Sequence, residues 1–87
     1  MVRVHFAPAR DDRREVFVSY AVSRKVGGAV VRNLCRRRLR SIVAEVSASL
    51  IPGTYLVSLN PEARGLSFAE LRERVIKTMR RANGVDA

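Results

Sequence analysis

The sequence predicts a small α+β fold, a two-layer sandwich in which two helices pack on a mixed sheet in the order β-β-α-β-α. Two observations predict it. Three segments place apolar residues at every second position, which is typical of strands, and two place them every three or four positions, which is typical of helices. The chain has 87 residues, enough for one small core, so we assign residues 1–87 to a single domain.

Three segments have the alternation of a strand. Residues 2–7 (VRVHFA) end at Pro8 and predict a short edge strand, and residues 15–23 (EVFVSYAVS) predict a second strand. Residues 54–59 (TYLVSL) predict the third. The short charged segment between the first two predicts an antiparallel hairpin. The strand–helix–strand order predicts that the second and third strands are parallel neighbours.

The first helix is predicted to run from Ala29 to about Ser49, before Pro52 and Gly53 end it. One apolar stripe at helical spacing gives its buried face. The predicted members of that stripe are Val31, Leu34, Cys35, Leu39, Ile42 and Val46.

The second helix begins with a predicted capping box, in which Ser67 and Glu70 stand three residues apart before an apolar run. It ends at Asn83-Gly84. The helix is basic, but Glu70 and Glu73 partly balance its charge, so we interpret that charge as a solvated surface. Its predicted core face consists of Phe68, Leu71, Val75 and Met79.

Charge is the most informative property of the composition. The chain has 17 lysine and arginine residues against 8 aspartate and glutamate residues, a net charge of +9. Fifteen of the cations are arginine, whose planar guanidinium matches phosphate oxygens. Between Glu15 and Glu45 there is no acidic residue. This excess predicts a polyanionic partner: a nucleic acid, an acidic protein or an anionic membrane surface.

The first helix carries a row of arginines on a wheel of about 100° per residue. The row comprises Arg32, Arg36 and Arg40, with Asn33 and Arg37 beside it. Arg38 lies near the other border of the apolar stripe, and we expect most of these cations to lie opposite the core. Like charges four residues apart weaken a helix by a few tenths of a kcal/mol. A row without acidic residues therefore favours contact with nucleic acid.

The start of this helix adds to the same surface. Gly27 and Gly28 stand between a strand and the helix, where free backbone N–H groups favour phosphate. Arg24 and Lys25 come directly before them. We therefore expect a continuous anion-binding surface from the strand end to the arginine row.

Several kinds of site are not indicated by the sequence. The single cysteine, Cys35, is expected to act as a small buried apolar residue, and the single histidine, His5, as a surface residue. One of each is too few for a zinc site, and no catalytic set is evident. No apolar run approaches the roughly 20 residues of a membrane span, and the N-terminus lacks a signal-peptide pattern. These features predict a soluble cytoplasmic protein.

The segment SRKVGGAVVRNLCRRRLR resembles the signature of the bacterial ribonuclease P protein subunit. That family has a strand ending in S-K-K-x-G-N and then a helix reading A-V-x-R-N-R-x-K-R-x-x-R. The matching positions are Ser23, Arg24, Lys25, Val26, Gly27, Ala29, Val30, Arg32, Asn33, Arg36, Arg37 and Arg40. The later YLVSLNP and SFAEL segments match the next strand and helix, so the resemblance covers residues 2–82.

The chain departs from the family pattern in three places. Leu34 replaces the second arginine of the R-N-R triplet, and Gly28 replaces the asparagine of the turn. The family's first helix, which bears aromatic residues, and the short strand after it have no counterpart. The resemblance is therefore to a short or N-terminally truncated member, with a more open cleft and a lower expected affinity for its substrate's leader.

The resemblance implies a left-handed β-α-β crossover and a ribosomal protein S5 domain 2-like fold. It implies an accessory subunit of the endoribonuclease ribonuclease P, in which a large RNA holds Mg²⁺ and removes the 5′ leader from precursor tRNA. The implied partners are that RNA and precursor tRNA with its leader, without a membrane or an obligate protein partner. The implied RNA contacts are Arg24, Lys25, Arg32, Asn33, Arg36, Arg37 and Arg40. The implied leader-contact candidates are Phe6, Phe17 and Tyr20.

Three alternatives share parts of this description. A small ribosomal or other structured-RNA-binding protein would have the same charge and fold class without a role in tRNA processing. An autonomous nuclease would need acid, base or metal-binding residues that the sequence does not show. A module for an acidic protein partner would lack the steep dependence of affinity on salt that RNA binding has.

Overall fold

A computed structural model of the chain describes residues 1–10 and 12–84. The chain forms three strands and two helices in the predicted order. They are β1 (Val2–Pro8), β2 (Val16–Val22), α1 (Ala29–Val46), β3 (Gly53–Leu59) and α2 (Phe68–Ala82). Short 3-10 turns cover Arg24–Val26, Ser47–Ser49 and Pro61–Gly65. The predicted α+β class and the order β-β-α-β-α are confirmed. No helix in the described part of the chain is long and apolar enough to cross a membrane.

The three strands form one sheet in the order β1-β3-β2. β2 and β3 are parallel neighbours, as expected, and β1 lies at an edge. The predicted hairpin between β1 and β2 is wrong, because β3 lies between them and pairs antiparallel with β1. The connection between β1 and β2 lacks the tight two-residue turn of a hairpin. The central position instead goes to β3, whose Tyr55, Val57 and Leu59 are all buried.

Both helices pack on the same face of the sheet. Tyr55 and Val57 of β3 share the core with Leu39 and Ile42 of α1 and with Val75 of α2. Side chains on the other face alternate with these and have no helix over them in the described chain. We call this other surface the open sheet face. Its residues are Arg3, His5, Ala7, Phe17, Ser19, Ala21, Thr54, Leu56 and Ser58.

The core differs from the predicted one at both helices. Leu34 is 43% exposed, and Val43 is buried in its place, because the buried side of α1 is centred between Leu39 and Ile42. Phe68 is 42% exposed, since it stands at the first position of α2. α1 itself ends at Val46, and a 3-10 turn continues to Ser49. The stripe was therefore predicted correctly except at these positions.

Local contacts explain where the helices begin. The predicted capping box is present: Ser67 Oγ accepts from the Glu70 N–H at 3.2 Å, and Glu70 Oε1 accepts from the Ser67 N–H at 2.9 Å. α1 has Gly28 at its N-cap, with no side chain to cap it. Gly27 is required by a close approach, because a Cβ there would lie 2.8 Å from Val31 Cβ. The turn from β2 into α1 therefore leaves little space for a side chain at Gly27.

Candidate nucleic-acid interface

The turn between β2 and α1 is tied to the sheet. The Ser23 N–H donates to the Leu59 carbonyl at 3.2 Å, and Ser23 Oγ accepts from the Lys25 N–H at 3.2 Å. Val26 is fully buried. β2 ends at Val22, one residue before the predicted end of the strand, and Arg24–Val26 form a 3-10 turn. Arg24 and Lys25 are exposed on this turn. The hydrogen bonds of Ser23 on one side and the burial of Val26 on the other hold their backbone in place.

The arginine row of α1 lies along one flank of the helix, and Arg40 at its end contacts β2. Arg32 and Arg36 are half-buried beside the core, and Arg40 is exposed. The guanidinium carbon of Arg40 lies 5.9 Å from the centroid of the Tyr20 ring on β2, within the range of a cation–π contact. The expectation that the row lies opposite the core is therefore wrong. The three arginines border the buried stripe of α1. Other residues therefore lie on the side of the helix opposite the core.

The outer side of α1 is occupied by a mixed set of exposed side chains. Asn33 and Arg37 lie there with Val30 and Leu34. Arg36 Nη1 donates a hydrogen bond to Asn33 Oδ1 at 3.2 Å, which orients the guanidinium along the helix. All seven predicted RNA-contact residues therefore lie on one turn and one helix.

The positive charge of α1 is almost uncompensated. The one acidic residue of this helix, Glu45, is engaged by Arg72 of α2. Arg72 Nε donates to both oxygens of Glu45 at 3.0 Å, and Nη2 lies 2.9 Å from Oε1. These hydrogen bonds hold the pKa of Glu45 below its usual value. It is the one ion pair in the described part of the chain, so the arginine row itself has no carboxylate partner there.

The three leader-contact candidates lie in different places. Phe17 is 56% exposed on the open sheet face. Phe6 points to the helix side, where its ring centroid lies 4.6 Å from that of Tyr55. Tyr20 also points to the helix side, and burial raises the pKa of its hydroxyl, an effect that Arg40 partly offsets. Of the three, Phe17 has the placement that contact across the open sheet face requires.

The arginine row and the open sheet face meet at β2. This strand is the edge strand next to Arg40, and it also carries Phe17 and Ser19 on its open side. The sequence analysis did not predict which residues of β1 and β3 share this face with Phe17. Leu56 is exposed at its centre, opposite His5 and Ser19. The alternation of residues 54–59 indicated two faces of β3, but not which one the helices would leave open.

The remaining candidate residues show no further site. Cys35 is a free thiol that packs against the core but is only half-buried, less than predicted. His5 is exposed on the open sheet face. Residues 1–10 and 12–84 contain no group of three or more histidine, cysteine, aspartate or glutamate side chains placed to hold a metal ion.

These features define a class of protein: a small, strongly basic α+β domain with an arginine-bearing helix beside an uncovered sheet. Comparison with known families gives the narrower assignment. The family described as Ribonuclease P matches residues 1–83. The chain therefore belongs to the ribonuclease P protein family.

Individual relatives agree with this assignment. The ribonuclease P protein component of Thermus thermophilus is 42% identical over 81 residues, which are 93% of this chain and 46% of the relative. That of Beutenbergia cavernae is 47% identical over 60 residues, covering 67% of this chain and 50% of the relative. The chain thus spans about half the length of these relatives.

A solved structure shows the same fold. The ribonuclease P protein of Thermotoga maritima matches with a TM-score of 0.78 at 22% identity, over 90% of this chain and 74% of that one. The fold of the described chain is therefore a known one.

Proposed function

We propose that this chain is the RNA-binding protein subunit of ribonuclease P and assists the catalytic RNA in removing the 5′ leader from precursor tRNA. The observation that carries the proposal is the arginine row of α1, continuous with the Arg24-Lys25 turn and without a carboxylate partner in the described chain. The names of the relatives support it, since each is a ribonuclease P protein component.

In this proposal the turn and α1 bind the ribonuclease P RNA. Guanidinium groups bind phosphate oxygens through two parallel hydrogen bonds. Arg32 and Arg36 are half-buried, and Arg36 is oriented by Asn33, so these side chains lose less freedom on binding than fully solvated ones. Their contribution falls with salt, because each neutralised phosphate releases condensed counterions.

The open sheet face binds the single-stranded leader. Phe17 offers an exposed ring and Leu56 an exposed apolar side chain at the centre of the face. Base stacking on an aromatic side chain contributes about 1–3 kcal/mol per base and tolerates any sequence. A leader of variable sequence requires such contacts.

Mg²⁺ belongs in this proposal to the RNA subunit and the substrate. The described residues offer no ligand cluster for it, so they do not fit a metal held by this chain. The ion supplies charge stabilisation at the cleaved phosphate. The chain's own part is to neutralise phosphates that repel one another when the two RNAs associate, which lowers the Mg²⁺ concentration required.

We place this ribonucleoprotein in the bacterial cytoplasm.

Reconstitution tests the proposal. A bacterial ribonuclease P RNA and a precursor tRNA are mixed at low Mg²⁺, and 5′-leader cleavage is followed with and without protein. We expect the protein to lower the Mg²⁺ requirement and the Arg36→Ala/Arg40→Ala variant to lose much of this effect. The matched control, Lys77→Ala/Arg81→Ala on α2, removes the same charge elsewhere and should retain it.

Two results would contradict the proposal. Equal losses in both double variants would mean that net charge, rather than the arginine row, is responsible. Tight RNA binding by the wild-type protein without any stimulation of cleavage would favour the structured-RNA-binding alternative. The dependence of affinity on salt distinguishes either kind of RNA binding from binding to an acidic protein partner. Only RNA binding should lose about one unit of slope, in log affinity against log salt concentration, for each arginine–phosphate contact removed.

A further inference from the structure

The helix α2 is followed directly by the dipeptide Asn83-Gly84. An asparagine side chain reacts most readily with the backbone when glycine follows it, because glycine has no side chain to hinder the attacking nitrogen. The other two asparagines of the chain are not placed for this reaction. Asn60 precedes a proline, which has no N–H, and Asn33 precedes a leucine inside α1. The sequence therefore favours modification at Asn83.

The reaction in question is intramolecular deamidation. The Gly84 nitrogen gives up its proton to hydroxide and attacks Asn83 Cγ, so that a bond forms between them. The bond from Cγ to Nδ2 breaks, and this nitrogen takes up a proton and leaves as ammonia. Water then opens the five-membered imide at one of its two carbonyls, which makes residue 83 an aspartate or an isoaspartate. Apart from the chain itself, the reaction consumes only water.

The folded chain holds Asn83 in a geometry that opposes this attack. Its ψ angle is 2°, which places the Gly84 nitrogen beside the backbone nitrogen of residue 83 and away from Cγ. Asn83 Nδ2 donates to the Tyr55 hydroxyl at 3.3 Å, and the Asn83 N–H donates to the Met79 carbonyl at 3.2 Å. The Gly84 N–H donates to the Arg81 carbonyl at 3.3 Å. These contacts have to open before the ring can form.

The restraints on Asn83 are local and easily opened. Its hydrogen bonds above are longer than the usual length of about 2.9–3.0 Å, and Gly84 beside it is exposed. A groove of about 260 Å³ between the ends of the two helices has Asn83, Ser49 and Arg80 in its lining, which gives water a path to the amide. Helix ends open at much lower free energy than the core does. Opening of this end therefore does not require the whole protein to unfold.

The product of the reaction does not fit the closed geometry. The Tyr55 hydroxyl donates its one proton to the Ile51 carbonyl at 2.7 Å and accepts from Asn83. A carboxylate at residue 83 has no proton to donate. It would face the lone pairs of the Tyr55 oxygen, or it would take the hydroxyl proton and leave the Ile51 carbonyl without a donor. Its negative charge would also lie at the C-terminal end of α2, where the helix dipole disfavours it.

We propose that Asn83 is a deamidation site exposed by opening of the last turn of α2, and that the deamidated end no longer closes as the native one does. The modification converts a transient opening into a permanent one, so the stability of the protein falls with its age. The inference does not depend on the proposed function, because it concerns the support of the core and not the RNA-binding surfaces.

Peptide mapping by mass spectrometry tests the site. The purified protein is incubated at mildly alkaline pH, and deamidation is followed at each asparagine. We expect modification at Asn83 well before Asn33 and Asn60, which are internal controls. Tyr55→Phe removes the acceptor of Asn83 Nδ2 and should raise the rate at Asn83 about two- to tenfold, because the rate follows the population of the open turn.

A matched control identifies which opening exposes the amide. Val22→Ala destabilises the core at the opposite end of the sheet, where Val22 is buried and pairs with Leu59. It should leave the rate at Asn83 nearly unchanged. Acceleration equal to that of Tyr55→Phe would mean that global unfolding exposes Asn83 and would overturn the proposal. So would a folded protein in which Asn83 stays intact while it deamidates in the urea-unfolded chain.

Urea unfolding tests the effect of the product. Asn83→Asp carries the carboxylate and should be less stable than the wild-type protein, whereas Asn33→Asp on α1 is the matched control. Adding Asn83→Asp to Tyr55→Phe should cost little more than Tyr55→Phe alone, since both changes remove the same hydrogen bond. Wild-type stability of Asn83→Asp, or full additivity in the double variant, would overturn the claim that the modified end cannot close.

Discussion

Gly53 is the residue at which the sheet leaves least room for a side chain. Its φ angle is +151°, which disfavours residues with a Cβ. A Cβ at this position would lie 2.4 Å from the Ala7 carbonyl oxygen and 2.7 Å from Phe6 Cε1. The glycine therefore allows β1 to pass close to the start of β3.

We predict that Gly53→Ala destabilises the protein by about 1–3 kcal/mol, because both the backbone conformation and the contact with β1 are strained. Urea unfolding followed by circular dichroism measures the loss. Gly65→Ala is the matched control, since a Cβ there meets no atom within 4 Å. Similar stability of the two variants would show that β1 adjusts freely around residue 53.

At the scale of elements, the Glu45–Arg72 bridge joins the two helices across the top of the core. Its three short contacts link the last turns of α1 to the first turns of α2. Both side chains are exposed, so the bridge contributes little compared with the buried apolar contacts beneath it. Its clearest signature is a dependence of stability on pH.

The pKa of Glu45 is lowered in the folded chain, chiefly by the hydrogen bonds from Arg72. The stability it supplies is therefore present above the usual carboxyl pKa of about 4.3 and is lost as pH falls through the lowered value. We predict that Glu45→Gln is less stable than the wild-type protein at pH 7 and that the difference is smaller at pH 3. Urea titrations at both pH values check this.

Glu62→Gln serves as the control for that measurement, because Glu62 is an exposed residue on the 61–65 turn. It should change stability little at either pH. A stability difference between wild type and Glu45→Gln that is as large at pH 3 as at pH 7 would mean that the substituted amide disturbs packing and that the ion pair is not responsible.

Sequence patterns predicted the elements well and their pairing less well. The strands and α2 begin and end within about two residues of the predicted bounds, because alternation, Pro8, Gly53 and the Ser67 cap are local signals. The hairpin prediction was wrong because strand order depends on which strand takes the central position and pairs along both edges. Here that strand is β3, and the order of the strands in the sequence does not show this.

At the scale of the whole molecule, Tyr55 connects parts of the chain that are far apart in sequence. Its hydroxyl donates to the Ile51 carbonyl at 2.7 Å and accepts from Asn83 Nδ2 at 3.3 Å. Its ring packs against the ring of Phe6 on β1 in a tilted arrangement. The side chain is fully buried, so one residue joins β1, the segment before β3 and the end of α2.

We predict that Tyr55→Phe lowers the free energy of unfolding by about 1–3 kcal/mol, since the Ile51 carbonyl then loses its donor in a partly buried place. Urea unfolding measures this. Tyr20→Phe is the control and should cost less, because the Tyr20 hydroxyl has no such pair of partners among the described contacts. Hydrogen exchange near the end of α2 should rise in Tyr55→Phe alone.

The candidate site was predictable in its residues but not in its shape. Spacing alone placed Arg32, Arg36 and Arg40 in one row, and the Gly27-Gly28 turn before it. It could not place the row on the flank beside β2, because that depends on where the sheet lies under α1.

The strand order also determines when the sheet forms during synthesis on the ribosome. β1 and β2 are made first, yet each pairs only with β3, which is the last strand to leave the ribosome. Val2 pairs with Leu59, so closure of the sheet joins residues that are 57 positions apart in the chain. Until then two strands and the arginine helix remain without their sheet, and a nascent chain halted before β3 should have no stable tertiary structure.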